Sequence, residues 1–408
     1  MTLKQQIRRF VPNAVVHRYR SYQDWRELPQ AARLQVRMDE RGALGNDPGS
    51  EPVIESCLAW MARAQDCSAT ADGGVARHFS LIDGWGPSYP ETTGYIVPTL
   101  LREAVIRDDP ELNERARRML DWLVSIQLLD GGFQGGMITQ EPIVPVTFNT
   151  GQILIGLAAG TETLGDDAHR MAMHRAATWL VQSQDDDGCW RRHPTPFAKT
   201  GEKAYETHVA WGLFEAERVE PGQGYGEAGL RQVNWALTMQ QENGWIARCC
   251  LDDPARPLTH TLGYLLRGVL EAYRLAEDKT LLRAARKTAD PLMNAVGSDG
   301  FLAGRFDHHW RPAVTWSCLT GSVQLAYCWF QLFTYTGDAR YLEAGRKVNA
   351  FVRRTIAVDG SANQIGGVRG SYPISGTYGR YQYLNWAAKF AVDSFRKESE
   401  LAVQSLIN

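Results

Sequence analysis

A short turn signature recurs along the chain at almost constant spacing. It is an aspartate or asparagine followed directly by glycine, and its first five copies begin 58, 57, 56 and 56 residues apart. These copies begin at Asp72, Asp130, Asp187, Asn243 and Asp299. A sixth turn, at Gly366-Gly367, follows after a longer interval. Self-similarity at a fixed period of this length is typical of chains built from repeated supersecondary units, so the sequence predicts six repeats.

Each repeat predicts two helices. Before Asp130, for example, Met119, Leu120 and Leu123 recur at helical spacing, which predicts an amphipathic helix. We expect the turn signature to end this helix, because glycine readily adopts the left-handed conformation of a helix C-cap. About 17 to 20 residues later a second helix begins that lacks a polar stripe and should be buried. These inner helices are predicted to begin near Glu91, Asn149, Glu206, His260, Ser317 and Asn385.

Six such hairpins predict an all-α fold, the (α/α)6 toroid, in which an amphipathic outer ring surrounds an apolar inner ring. We assign residues 49–408 to the toroid and residues 1–48 to an N-terminal extension that is partly irregular. In a closed ring the N-termini of the inner helices gather at one end, where their free N–H groups favour anionic and polar ligands. The functional residues are therefore expected at that end.

Composition argues against several classes of function. The formal net charge of -2 gives no support to nucleic-acid binding, which usually leaves a basic footprint. The seven cysteines contain no C-x-x-C pair, so we expect no disulfide framework, no metal and no cofactor. No stretch has the roughly 18 apolar residues of a membrane-spanning helix. We expect a cytoplasmic protein whose basic N-terminal arm is solvated, although that arm could touch an anionic membrane; its arginines are Arg8, Arg9, Arg18 and Arg20.

Residues 180–190, LVQSQDDDGCW, resemble the Q-x-x-x-G-x-W repeat of squalene cyclases and of the β-subunits of protein prenyltransferases. Residues 125–136 and 239–245 resemble weaker copies of the same repeat. The resemblance implies the α/α toroid, but the catalytic motifs of these families are missing. Residues 185–187 are not the acidic D-x-D-D motif of the cyclases, and no zinc-binding Asp, Cys and His set matches that of the prenyltransferases.

A second resemblance is carried by residues 366–395 together with residues 90–101. Both segments are similar to prenyltransferase-like toroid proteins found with bacterial polysaccharide-biosynthesis enzymes. More weakly, the chain resembles glucuronyl C5-epimerases and toroid polysaccharide lyases. These resemblances imply a glycan substrate and an association with polysaccharide-assembly enzymes.

The polar residues at the starts of the inner helices are the candidates for catalysis. Two carboxylates across a cavity are the minimum for glycoside hydrolysis. Elimination or epimerisation at a uronic acid needs a base for the C5 proton and an acid, roles that histidine and tyrosine fill well. The candidate catalytic residues are Glu206, His208, His260, Tyr95 and Glu91. The carboxylates also suit the positive ends of helices, and the histidines suit a hydrogen-bonded core, so purely structural roles remain open.

Aromatic, arginine and asparagine side chains in the linkers are candidates for substrate binding. Aromatic rings offer flat apolar faces for sugars. Arginine and asparagine can hold a sugar carboxylate. The candidates are Trp85, Asn149, Arg305, His308, Trp316, Arg369, Tyr372 and Tyr383. Packing within the linkers is the alternative role for each of them.

Three functional hypotheses follow. The first is an enzyme that acts on a bacterial, uronic-acid-containing polysaccharide or its precursor, by lyase- or epimerase-type proton abstraction or by glycoside hydrolysis. The second is a terpenoid cyclase or prenyltransferase-like enzyme, which predicts a cavity lined by aromatic and aliphatic side chains with few charges. The third is a non-catalytic toroid that binds a glycan or a protein partner. It predicts that Glu206, His208 and His260 do not converge on one point.

Overall fold

The computed structural model describes residues 22–23, 25–42 and 44–407, and the arginines of the basic N-terminal arm lie outside them. In chain order the helices are α1 (Gln30–Glu40), α2 (Ser50–Asp66), α3 (Pro90–Arg107), α4 (Pro110–Ile126), α5 (Thr147–Leu164), α6 (Asp167–Ser183), α7 (Thr207–Val219), α8 (Tyr225–Leu237), α9 (Thr259–Ala276), α10 (Lys279–Asn294), α11 (Leu319–Thr336), α12 (Ala339–Arg353) and α13 (Asn385–Ile407). None of these is long and apolar enough to span a membrane.

Helices α3, α5, α7, α9, α11 and α13 form a closed inner ring. Each of them packs against the inner helices on both sides, and α13 packs against both α3 and α2. The intervening helices form the outer ring and bury only one face, as α4 does, whereas α5 is buried around most of its circumference. Each inner helix begins within two residues of its predicted start. The predicted (α/α)6 toroid is confirmed.

Short turns join inner to outer helices at one end of the toroid. In four of these hairpins the residue directly after the inner helix has a left-handed backbone conformation, as Gly165 and Gly337 do. An aspartate then caps the outer helix by accepting an N–H two residues further on, as Asp166 does from Ala168. These compact turns leave the long linkers, and with them the starts of the inner helices, at the opposite end.

The turn signature does not cap the outer helices, so that part of the sequence prediction is wrong. In the first five repeats the outer helix ends four to six residues before the signature. The aspartate or asparagine instead forms a separate turn, in which its side-chain oxygen accepts the backbone N–H two residues ahead. The following glycine has a positive φ, for example 99° at Gly131 and 89° at Gly300.

Each signature glycine packs against a backbone carbonyl of the next outer helix. A Cβ atom on Gly300 would collide with the carbonyl of Lys347, and one on Gly366 with the carbonyl of Ser56. A glutamine strengthens the same junction: Gln127 Nε2 donates to the carbonyl of Gly131 at 2.9 Å and to that of Ala172, on α6, at 3.0 Å. The contact of Gly366 with α2 closes the ring.

Short strands connect the linkers at the end where the inner helices begin. Strand β1 (His78–Ser80) lies between β2 (Gly84–Trp85) and β5 (Gln382–Leu384) in an antiparallel sheet. Strand β3 (Ser317–Cys318) pairs with β4 (Ser371–Tyr372). The first and last linkers are thereby joined.

Substitution of Gly300 should destabilise the toroid far more than substitution of a glycine with open surroundings. Gly300→Ala meets both a positive φ and the Lys347 carbonyl, and we expect a loss of roughly 3 kcal/mol. Gly337→Ala, at a φ of 70° with no atom within 4 Å, should lose only about 1 kcal/mol. Thermal melts of the two variants measure the difference. Equal losses would contradict the importance of the close packing.

Candidate active site

A cavity of about 370 Å³ opens at the end of the toroid where the inner helices begin. Its walls come from the first residues of α3, α5, α9 and α13 and from five of the six linkers. Three sequence-predicted residues line it together: Glu91, Asn149 and His260. The predicted mouth therefore contains a cavity with both an acid and a base.

His260 lies at the start of α9 with a fixed orientation. Its Nδ1 is 2.7 Å from Oε1 of Gln324, on the neighbouring helix α11. Because an amide oxygen only accepts, Nδ1 carries the proton and Nε2 is the basic nitrogen. Burial lowers the pKa of His260 to about 4, despite an opposing contribution from the Gln324 hydrogen bond. His260 is therefore neutral across the physiological pH range.

Glu91 lies at the start of α3 and is almost completely buried. Tyr89 donates a hydrogen bond to Oε2 of Glu91 at 2.8 Å. Burial raises the pKa of Glu91 to about 7, although the Tyr89 hydrogen bond and the charge of Arg77 act in the opposite direction. Its carboxyl group is therefore protonated at mildly acidic pH and can donate a proton.

Tyr264 lies between two histidines. Its ring centroid is 4.3 Å from that of His260 and 4.4 Å from that of His208. His208 repeats the arrangement of His260, with Nδ1 2.6 Å from Oε1 of Gln152. Burial, followed by the charge of Lys389, lowers the pKa of His208 well below its usual value. His208 does not line the main cavity but lies beneath Tyr264, as does Tyr95, whose hydroxyl is 3.5 Å from that of Tyr264.

Arg77 is the cation at this cavity. Its guanidinium stacks on the ring of Trp386 at 5.0 Å and donates to Oε1 of Gln382 at 3.2 Å. Within the described part of the chain no carboxylate forms an ion pair with Arg77. The remaining wall is largely aromatic; it includes Tyr89, Phe148, Tyr205, Tyr264, Tyr378 and Trp386.

Glu206 occupies a second pocket, of about 210 Å³. The two pockets share Phe148, Thr195 and Tyr205 as lining residues. Burial raises the pKa of Glu206 to about 8, against the opposing charge of Lys203. Glu206, His208 and His260 consequently do not line one cavity, as the non-catalytic hypothesis predicts for these three residues, whereas Glu91 shares the cavity of His260.

Other sequence candidates are held in contacts within the linkers. Arg305 forms an ion pair with Asp252, in which its Nη2 donates to Oδ2 at 2.8 Å and to Oδ1 at 3.0 Å. His308 is exposed, and its ring lies 3.8 Å from that of His309. Trp316 packs in a small cluster around Leu258. None of these three lines the cavity.

The candidates near the last linker anchor the N-terminal extension and the sheet. Arg369 lies 3.4 Å from the carboxylate of Asp39, on α1, and donates to the carbonyl of Thr355. Tyr372 and Tyr383 flank its guanidinium. Trp85 packs against neighbouring aromatic rings of the core. The charge and the rings of these residues are already used in packing, and none lines the cavity.

Arg77 and the six aromatic residues of the wall were missed from the sequence. Tyr264 lies four residues after His260, hence on the same face of α9, and this spacing could have revealed it. Tyr89 directly precedes the first residue of α3. Arg77 lies in a linker, where no periodicity indicates the direction of a side chain.

The described residues contain no group of three or more histidine, cysteine or acidic side chains that could hold a metal ion. Cys249, close to His260 in sequence, donates to the carbonyl of Thr261. Burial raises the pKa of the Cys249 thiol, which opposes the thiolate form that metals bind.

No protein-family model matches the chain. Over 168 residues it is 27% identical to a probable squalene–hopene cyclase of Sinorhizobium fredii, covering 37% of this chain and 24% of that protein. It is 26% identical over 172 residues to a squalene–hopene cyclase of Bradyrhizobium diazoefficiens, with coverages of 38% and 24%. The chain thus matches only about a quarter of the length of these curated relatives.

Solved structures match nearly the whole toroid. An unsaturated glucuronyl hydrolase specific for heparin aligns with a TM-score of 0.70 at 15% identity, covering 86% of this chain and 97% of that chain. The chain has the α/α-toroid fold. A D-mannose isomerase aligns with a TM-score of 0.68 at 10% identity, with coverages of 86% and 97%. The cellobiose 2-epimerase of Bacillus thermoamylovorans aligns with a TM-score of 0.66 at 9% identity, with coverages of 84% and 98%.

The buried Glu91 should make stability depend on pH. Its folded-state pKa of about 7 lies above the usual glutamate value of 4.5, so the contribution of Glu91 to the free energy of unfolding is complete below about pH 4.5 and is lost as the pH rises to about 7. Glu91→Gln stays neutral, and its free energy of unfolding relative to the wild type should therefore rise across this window. Urea titrations at several pH values measure this.

Glu343→Gln is the control for this titration, because Lys347 holds the pKa of the exposed Glu343 below its usual value. This variant should show no such rise. A constant difference between Glu91→Gln and the wild type from about pH 5 to 7.5 would contradict the raised pKa.

Proposed function

We propose that the protein is a carbohydrate-active enzyme that abstracts the C5 proton of a uronic acid within a glycan. One observation carries the proposal: three complementary groups line one aromatic-walled cavity. They are the neutral, oriented imidazole of His260, the protonated carboxyl of Glu91 and the guanidinium of Arg77, which has no carboxylate partner among the described residues. Paired groups whose environments push their pKa values in opposite directions are typical of acid–base sites. The toroid hydrolase, isomerase and epimerase above are carbohydrate enzymes by name, which agrees with this assignment.

In this proposal Nε2 of His260 is the general base. It accepts the proton from C5, while Gln324 holds Nδ1–H and thereby keeps the ring in the required tautomer. The C5 proton is weakly acidic unless the charge of the adjacent carboxylate is neutralised. Arg77 supplies that neutralisation by binding the sugar carboxylate.

Glu91 is the general acid. In an elimination it protonates the oxygen that leaves C4 as the C4–C5 double bond forms. In an epimerisation a proton is returned to C5 from the face opposite the base. Both outcomes use the same abstraction step. The aromatic wall provides a stacking face for the sugar ring in either case.

Substitution of His260 should abolish most activity. We expect His260→Gln to lower kcat by roughly 10²–10⁴-fold, because proton transfer loses its base. The assay incubates the protein with acidic and neutral bacterial polysaccharides in deuterated water and follows unsaturated-uronate absorbance together with NMR. New absorbance reports elimination, and deuterium at C5 without cleavage reports epimerisation. New reducing ends without absorbance would instead report hydrolysis and overturn the proposed mechanism.

The matched control is His308→Gln, which removes an exposed histidine outside the cavity. It should retain wild-type activity. If His260→Gln also retains full activity on a glycan that the wild type converts, His260 is not the base.

The rate should depend on pH as a bell-shaped curve. His260 must be unprotonated, so kcat/KM rises as the pH passes about 4, and Glu91 must be protonated, so it falls as the pH passes about 7. A pH–rate profile of the wild type measures both limbs. The residual activity of Glu91→Gln should lack the upper limb. A wild-type rate that keeps rising beyond pH 8 would exclude Glu91 as the acid.

A terpenoid or prenyl-chain reaction is the second candidate, favoured by the aromatic wall and by the partial sequence similarity to squalene–hopene cyclases. Protonation of an alkene needs a strong acid, however, and a carboxyl with a pKa near 7 is a weak one. The acidic run at residues 185–187 belongs to a turn, where Asp187 is paired with Arg191 at 2.7 Å. If the protein converts no glycan but does convert squalene, this second candidate is favoured.

A further inference from the structure

The pocket that contains Glu206 adjoins the main cavity. It is formed by the start of α7 and the preceding linker, and Phe148, Thr195 and Tyr205 separate it from the cavity that contains His260. A ligand in the main cavity thus has a second concave surface directly beside it.

Glu206 has no protein partner for one of its oxygens. The residue is 7% exposed, and its Oε2 makes no hydrogen bond within the described part of the chain. A buried polar atom without a partner is costly, and such atoms occur where a ligand completes the site. The burial and the missing partner leave Glu206 Oε2 able to bond a group from outside the chain, either an ordered water or a ligand hydroxyl.

The cations of this pocket differ in their pairing. Arg191 is neutralised by Asp187 and Glu202, both at 2.7 Å. Lys199 and Lys203 also line the pocket, and across the described residues neither forms an ion pair. Two ammonium groups thus remain free to bind an anion, beside the apolar surfaces of Phe148 and Trp190.

We propose that this pocket binds the sugar ring next to the reacting one, and that this neighbouring ring carries an anionic group. The inference rests on the proposed function for the position of the reacting ring in the main cavity. Lys199 and Lys203 hold the anionic group, Glu206 contacts a ring hydroxyl, and the aromatic wall contacts the ring face. The substrate is then an oligo- or polysaccharide with acidic sugars in adjacent positions.

The test compares two trisaccharides with the same β-1,4 backbone. Oligoglucuronate trisaccharide carries a carboxylate on every ring, whereas cellotriose carries none. By isothermal titration calorimetry the wild type should bind the oligoglucuronate more tightly than both cellotriose and glucuronic acid. Lys203→Met keeps the apolar stem and removes the charge, and it should weaken oligoglucuronate binding roughly tenfold.

Lys279→Met is the control, because Lys279 is an exposed lysine at the start of the outer helix α10. It should bind both trisaccharides as the wild type does. The inference is overturned if Lys203→Met also binds oligoglucuronate as the wild type does. It is equally overturned if the trisaccharide binds no more tightly than glucuronic acid alone.

A second variant tests the contact of Glu206 independently of the lysines. Above pH 8 an ionised Glu206 repels an anionic ring, so wild-type binding of oligoglucuronate should weaken between about pH 7 and 9. Glu206→Gln should weaken less above pH 8 than the wild type, and the weakening near pH 7 that remains comes from ionisation of Glu91 in the main cavity. The other titratable groups around Glu206 are Lys199, Lys203, Arg191, Glu202, Cys189 and Tyr205. Equal pH dependence in both proteins would overturn the contact.

These outcomes are separable from those of the proposed function. Suppose that oligoglucuronate binding depends on Lys203 but no glycan undergoes elimination or deuterium exchange. This result would support the sugar-binding pocket and contradict the proposed reaction. If Lys203→Met instead retains full turnover, at a rate that does not depend on the length of the glycan, the proposed reaction is supported and the sugar-binding pocket is contradicted.

Discussion

The contact between each signature glycine and the next outer helix is the constraint on which the toroid depends. A residue with a Cβ does not fit at Gly131, Gly300 or Gly366, because the carbonyl of the following outer helix occupies that space. Where a glutamine precedes the turn, as at Gln127, its amide ties the turn and the next helix together. The contact fixes the spacing between repeats. Its last copy, between Gly366 and α2, converts a row of hairpins into a ring.

Closure of the ring also determines the chemistry at the mouth. Helix N-termini favour negative charge, yet burial raises the pKa of both Glu91 and Glu206. Desolvation therefore outweighs the helix ends, because the surrounding helices and linkers leave both residues almost completely buried. The same burial lowers the pKa of His260. One physical cause thus produces a protonated acid and an unprotonated base in one cavity, whereas in water no single pH favours both the protonated form of glutamate and the unprotonated form of histidine.

The sequence predicts the ring far better than the cavity wall. The period of the turn signature and the apolar inner helices define the six hairpins, and helix starts led directly to Glu91 and His260. Linker side chains were not predictable in this way. Arg305 carries the residue chemistry of a carboxylate-binding group, but its partner, Asp252, lies 53 residues away in sequence and satisfies it. Arg77 has similar chemistry and lines the cavity, and local sequence does not distinguish the two.

The floor of the cavity restricts how a polymer can reach the site. Beneath Tyr264 and His208 the axis is filled by Lys389, whose ammonium pairs with Asp393 at 2.7 Å and lies 4.3 Å from the ring of Phe390. Burial lowers the pKa of Lys389 to about 8, and the ion pair keeps the group in place. A pocket lined by His208, Phe390 and Asp393 has a volume of only about 10 Å³, enough for roughly one water molecule. In the proposed function a glycan therefore enters and leaves at the mouth, where the proposed sugar-binding pocket of Glu206 lies beside the main cavity.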